Sequence, residues 1–348
     1  MKTLKLAGAA LLGAAIAMAG TSLASAQEFT FKLHHLLGAK APAQTQMLEP
    51  WAKQVEENSG GRVKIEIYPA MSLGGRPPEL VQQARDGVVD LIWTVNGYTP
   101  GLFPRTEVFE LPGVFKNDPK AANLAMYDMF ESDLKQEYQG LEVMFLHVHA
   151  GQAFHMREKA VHTPDDVVGT KLRIPTRTGA WLIEALGAAP TAMPVPELPQ
   201  ALSKGVVDGA LIPWEIIPAL NIQEQTKYQI EGYDKERFGT TTFQVSMNKA
   251  RWDSLPDDIK KAFKDASGPE WWGKVGDIWR ASDEHGIKVA TDAGNEHITL
   301  TEEQTEAFRQ KEEPVVGRWI EEVSAQGIDG AALVEKARSL IAKHSSGM

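Results

Sequence analysis

Gly87-Val88-Val89-Asp90-Leu91-Ile92-Trp93-Thr94 and Gly205-Val206-Val207-Asp208-Gly209-Ala210-Leu211-Ile212 begin with the same four residues. In each copy the glycine stands where an amphipathic helical pattern stops, and the aspartate where an apolar strand starts. Glycine suits the position after a helix because it adopts left-handed backbone angles without a Cβ penalty. A four-residue match carries little weight alone; the shared flanks carry it. The first copy closes a run that predicts strand 30–36, helix 43–58, strand 63–68, helix 77–86 and strand 91–94. Pro77 fits the first helical position, and Glu79 the positive end of the helix dipole. The second copy closes a similar run: strand 171–174, helix 178–186, an extended piece 191–195, helix 197–203 and strand 209–212.

Alternating β and α units of this kind predict mainly parallel sheets flanked by helices. Two such units predict an α/β fold of two similar lobes with a cleft between them. Ligands of open α/β sheets gather beyond the carboxyl ends of the strands. That rule selects His34 and His35, then residues 93–98, 173–177 and 212–215. From Ser254 onward the pattern predicts helices, one starting near Pro256. There Trp271, Trp272, Val275, Ile278 and Trp279 recur at helical spacing, a stripe that reads as packing.

The first 26 residues carry the three parts of a secretory signal: Lys2 and Lys5, an apolar run from Leu6 to Ala19, and Ala24-Ser25-Ala26 before the expected cut. The run falls short of the ~20 residues a membrane span needs. The mature chain is therefore expected to begin at Gln27 in the periplasm. Losing two lysines and no acids moves the net charge from −10 to −12, the wrong sign for nucleic acid or an anionic membrane surface. The chain has no cysteine, which excludes lipid attachment at an N-terminal Cys, zinc-thiolate sites, iron–sulfur clusters and Cys nucleophiles. About 320 mature residues accommodate two lobes.

No Gly-x-Ser-x-Gly elbow, phosphate loop, dinucleotide fingerprint or His-Glu-x-x-His site is present, which argues against an enzyme. In Gly74-Gly75-Arg76-Pro77 the proline removes a donor that a phosphate would need. In strand 171–174, Leu172 and Ile174 share one face, Lys171 and Arg173 the other. A strand covered on both sides has little room for an unpaired guanidinium, so Arg173 needs an anionic partner. That partner is either an Asp or Glu of the chain or a ligand carboxylate, which the planar guanidinium matches with parallel N–H donors. His147 and His149 alternate in an apolar stretch and share a face, a spacing open to a metal pair, but no further convergent ligands are visible.

Several segments together resemble the DctP-type extracytoplasmic solute receptors of TRAP transporters, over essentially the whole mature chain. They are 63–73 followed by Gly74-Gly75, 90–104, Pro164-Asp165-Asp166 with Gly169-Thr170-Lys171-Leu172-Arg173-Ile174-Pro175, and 194–213. The resemblance implies two α/β lobes, joined by hinge strands and a long helix, that close over a ligand without catalysis or a cofactor. It implies handover to a small and a large membrane subunit. It also implies one arginine, in Gly-x-Lys-hydrophobic-Arg-hydrophobic-Pro, that binds the ligand carboxylate; here that residue is Arg173. The expected division is signal peptide 1–26, first lobe 27–149 with about 240–280, and second lobe 150–239 with about 281–348, in a monomer.

The chain departs from the family pattern in two places. Many members carry an Asn anchor for polar ligands where Ile212 stands. Members that bind sugar acids carry a further Arg near the positions of Gln152, Ala153 and Phe154. Trp93, Phe154, Trp214 and Phe243 are expected to fill the cleft instead, Trp93 and Trp214 at comparable places in the two repeats. One Arg and several rings predict an aromatic or otherwise apolar monocarboxylate. His34 or His35 is a candidate to hydrogen-bond the carboxylate or a ring hydroxyl. The alternatives are a polar carboxylate (2-oxo acid, sugar acid or dicarboxylate), a periplasmic sensor and a metal-binding receptor.

Overall fold

In a computed structural model, residues 27–345 are described; the expected signal segment 1–26 lies outside the described residues. Eleven strands form two sheets: β1 (Phe29–His35), β2 (Val63–Tyr68), β3 (Leu91–Val95), β4 (Leu141–Val148), β5 (Ala153–Met156), β6 (Lys171–Ile174), β7 (Ala189–Ala192), β8 (Gly209–Ile212), β9 (Tyr228–Glu231), β10 (Thr242–Asn248) and β11 (Glu296–Thr299). The first sheet has the order β2-β1-β3-β10-β4 and the second β11-β9-β5-β8-β6-β7. Strand β1 shows why the pattern works: Phe31 and Leu33 are fully buried while Thr30 and Lys32 are exposed, the two-residue period of a strand.

The repeat is a structural one. Parallel β2-β1-β3 corresponds to parallel β7-β6-β8. Gly87 and Gly205 take left-handed φ values of 70° and 65°. Asp90 accepts a hydrogen bond from the Lys32 amide at 2.8 Å, and Asp208 accepts one from the Lys171 amide at 2.8 Å. The motif aspartate thus pins the neighbouring strand in both copies. Each sheet also contains one antiparallel strand, β10 in the first and β5 in the second. These arise where the chain crosses between the sheets in extended form, from β4 to β5 and from β9 to β10. The crossing segments bond to each other: the Gln152 amide donates to Gly239 O and the Phe238 amide to Gln152 O, both at 2.9 Å.

Some bounds differ from expectation. Helix 43–58 opens with a wide π-type turn, Ala43–Leu48, before α-helix Glu49–Asn58; Pro50 near the junction cannot donate to the ladder. The strand expected at 191–195 lies at Ala189–Ala192. Pro190 is tolerated there because β7 is the edge of its sheet.

Helices cover both sheets. Phe31, Trp51, Phe145 and Phe263 meet in the first core, with ring centroids 5.2–6.0 Å apart. Phe154, Phe238 and Phe308 meet in the second, at 4.6–5.9 Å. The 24-residue helix Pro269–Asp292 joins the halves, and its glycines allow the approach. A Cβ at Gly276 would sit 2.5 Å from the Lys120 backbone in helix Pro119–Met129, and one at Gly286 would sit 1.9 Å from Trp214 O. Asp283 of the same helix accepts the Trp214 amide at 2.8 Å and pairs with buried Arg237, which also pairs with Glu231. We divide the lobes by sheet, with this helix shared. The last helix, Gly330–Ser345, was expected with the second lobe; it packs on Pro119–Met129 beside the first sheet, so we place it with the first.

The lobes meet directly across the cleft. Arg177 forks onto Glu107 at 2.6 and 2.7 Å, and the Thr178 hydroxyl donates to Glu110 at 2.8 Å. At the exposed rim Arg76 pairs with Glu197 at 2.9 Å, a contact worth little in water. These contacts describe a closed arrangement.

Candidate ligand-binding cleft

Between the sheets lies a space of about 440 Å³ that includes open solvent. Its walls are chiefly apolar: Leu36, Leu37, Trp93 and Val95 from the first lobe, Val195, Leu211, Ile212, Pro213 and Ile216 from the second, Phe243 at the second crossing and Trp279 from the long helix. Trp93, Phe243 and Trp279 are nearly parallel, with interplanar angles of 3–17° and centroids 5.4–6.4 Å apart. They present a flat apolar surface.

Arg173 reaches this space from β6 and is 2% exposed. Its Nε donates to Met193 O at 3.0 Å, Nη1 to Leu211 O at 3.3 Å and Nη2 to the Tyr98 hydroxyl at 3.4 Å. A guanidinium has five N–H groups, so two remain without a partner among the described residues. No Asp or Glu forms an ion pair with it there. Burial pulls its pKa below the usual range, offset by Tyr98 and by the charge of Glu197.

Two further donors adjoin it. Tyr98 O accepts from Arg173 and, at 2.8 Å, from the Val195 amide. Both contacts are incoming, and burial pushes the phenol pKa up, so the Tyr98 O–H stays on and has no protein acceptor. His149 Nδ1 accepts from the Gly151 amide at 3.0 Å. Burial, then neighbouring His147, Arg173 and Arg237, hold its pKa well below the usual range. The ring is neutral, so its proton sits on Nε2, where no described group accepts it. Arg173 from the second lobe, Tyr98 from the first and His149 at the crossing thus line one space together.

The structure brings Arg173, Trp93, Gln152, Ile212 and Phe243 to this space and leaves four expected residues outside it. Trp214 is fully buried against His155 and His297, with ring centroids at 5.0 and 4.7 Å. The repeat register explains the error: six residues past the motif glycine stand Trp93 and Leu211, and it is Leu211 that lines the cleft. Phe154 belongs to the second core. His34 bonds Gln83 at 2.8 Å and accepts from the Leu73 amide, which uses both nitrogens. His35 bonds Gln44 at 3.0 Å and accepts from the Leu37 amide; it sets its edge against Trp93, with centroids 5.9 Å apart, and supports the wall from behind. His147 accepts from Trp93 Nε1 at 2.9 Å and bonds Val148 O, so the pair with His149 has no free nitrogen on that side. Among the described residues no group of three or more His, Asp and Glu converges as for a metal.

Tyr98, His149, Thr241, Glu215 and Trp279 were not selected from the sequence as ligand contacts. Tyr98 and Glu215 lay within the strand-end segments, and Trp279 within a stripe that is otherwise packing. No described helix is long and apolar enough to cross a membrane.

Known proteins share this fold. A TRAP solute binding protein from Rhodoferax ferrireducens, with copurified benzoate, is 38% identical with a TM-score of 0.88, covering 91% of this chain and 98% of that one. One from an unidentified marine microbe, specific for aromatic acid ligands and co-crystallised with 3-hydroxybenzoate, is 37% identical with a TM-score of 0.89, covering 91% and 99%. The C4-dicarboxylate-binding periplasmic protein DctP of Rhodobacter capsulatus is 26% identical over 94% of this chain and 97% of its own. The profile of the DctP family, described as bacterial extracellular solute-binding protein, family 7, matches residues 33–322. With its two α/β lobes and its inter-lobe cleft, the chain belongs to this family of TRAP solute receptors, which bind substrates and are not enzymes.

Proposed function

We propose that this receptor captures an aromatic or otherwise apolar monocarboxylate in the periplasm, after cleavage of its signal segment, and as a monomer delivers it to the TRAP membrane subunits. The observation that carries the reading is Arg173, a buried guanidinium with two free N–H groups at the end of a mainly apolar space. A buried unpaired charge is costly, and a ligand carboxylate relieves that cost. The likeness at 37% and 38% identity to receptors with 3-hydroxybenzoate and benzoate supports the ring-shaped remainder of the ligand. A dicarboxylate or sugar acid finds no second cation here: the other ionisable wall residues are Tyr98, neutral His149 and the acid Glu215, and nearby Arg237 is taken by Glu231 and Asp283.

In this mechanism the open form takes the carboxylate on Arg173. Closure then adds Tyr98 and His149 to the anion and brings the rings of Trp93, Phe243 and Trp279 over the apolar body. Because the ligand contacts groups from both lobes, it favours the closed state, and only such a difference shifts the equilibrium. Calorimetric titration of Arg173→Ala with benzoate tests the anchor. A dissociation constant raised about tenfold or more, ~1.4 kcal/mol per decade, is expected; an unchanged constant would place the carboxylate elsewhere.

A further inference from the structure

Four wall residues of the same space each have a buried polar atom with no hydrogen-bond partner: Gln152 Oε1, Thr241 Oγ1, Glu215 Oε2 and Trp279 Nε1. All four are buried, Glu215 being the most exposed at 4%. Buried polar groups are usually satisfied, and four of the unpartnered atoms among the described residues belong to residues of this one cavity.

The chain sets these groups deliberately. Gln152 Nε2 is held by Thr240 O at 3.3 Å, which leaves Oε1 as the loose end of the amide. Thr241 follows directly, two residues before Phe243 in extended chain, so it shares the Phe243 face. Across the second lobe, Ala153 pairs with Ile212, which sets Gln152 beside Pro213 and the approach to Glu215. Burial first, and then Asp283, pushes the Glu215 carboxyl well above its ordinary pKa, which favours the protonated form.

The donor and acceptor types select the ligand group. Trp279 N–H only donates, Gln152 Oε1 only accepts, and the Thr241 hydroxyl and a protonated carboxyl do both. An ammonium would leave the indole unmatched, and a second carboxylate would leave the Gln152 oxygen unmatched. A hydroxyl both donates and accepts. We propose that Gln152, Thr241, Glu215 and Trp279 form a hydroxyl-recognition subsite, so that the favoured ligands are aromatic carboxylates bearing a ring or side-chain hydroxyl. This rests on the aromatic-carboxylate reading of the cleft.

The test is calorimetric titration of the mature protein with benzoate and with 2-, 3- and 4-hydroxybenzoate, repeated on Thr241→Val and Gln152→Met. At least one hydroxybenzoate is expected to bind about tenfold or more tighter than benzoate. The ratio of hydroxybenzoate to benzoate affinity should shrink toward unity in each variant. Thr241→Val is nearly isosteric and carries the test if Gln152→Met fails to fold. If benzoate binds as well as all three hydroxybenzoates, or the preference survives Thr241→Val, the subsite is overturned and the aromatic reading stands. If none of the four binds to folded protein, both are overturned.

Discussion

Arg173, Tyr98 and His149 offer a carboxylate one charged and two neutral donors, and single substitutions separate them. Tyr98→Phe removes one O–H and leaves the guanidinium in place. A hydrogen bond to a charged group contributes about 1.5–3 kcal/mol, so benzoate affinity should fall about tenfold, measured by calorimetry, and by less than in Arg173→Ala. An unchanged constant would mean that the Tyr98 proton points away from the ligand. At this scale the sequence was readable only in part. A cation alternating with Leu172 and Ile174 in a buried strand announces its need for an anionic partner, and Arg173 was singled out by the family resemblance as the expected carboxylate anchor. Tyr98 was not, because the short turn Asn96–Tyr98 after β3 sets its direction. Nor was His149, since its sequence context resembles that of His147, whose nitrogens are consumed internally.

At the scale of elements, the repeated Gly-Val-Val-Asp made both parallel units legible because each motif residue does local work: glycine ends a helix and aspartate caps a strand amide. The antiparallel β5 and β10 were not legible, since a strand that crosses between lobes has the same two-residue period as one that stays. The closeness of the long helix to both lobes was hidden too, because a glycine's neighbours are set by tertiary packing. That contact is testable. Gly286→Ala drives a methyl into Trp214 O and should destabilise by about 1–3 kcal/mol, whereas Gly317→Ala, exposed with nothing within 4 Å, should stabilise by up to about 1 kcal/mol. Thermal unfolding of the two variants should move in opposite directions; a neutral Gly286→Ala would mean the helix shifts freely against the second lobe.

For the whole molecule, burial leaves a titration signature. It raises the pKa of Glu110 and Glu137 to about 7 and of Glu312 to about 8. It lowers His35 to about 4, and His147 and His155 to about 3. Unfolded values lie near 4.3 for Glu and 6.5 for His. Above about pH 7.5 these histidines are neutral in both states, while the folded chain still holds carboxyl protons that the unfolded chain has released. Stability therefore falls as pH rises from about 7.5 to 8.5. Glu312→Gln, which replaces a buried acid whose Oε1 has no partner, should flatten that fall in thermal unfolding, and a melting temperature that rises over this interval would contradict the account.

The account stands or falls on selectivity for an apolar monocarboxylate. The most direct measurement is a thermal-shift comparison of the mature protein with benzoate, a C4-dicarboxylate, a sugar acid and a branched aliphatic monocarboxylate. A ligand present at ~100 times its dissociation constant adds about 2.7 kcal/mol. The account predicts a rise of several degrees with benzoate, a smaller one with the aliphatic acid, and none with the dicarboxylate or sugar acid. A rise confined to the dicarboxylate or sugar acid would contradict it.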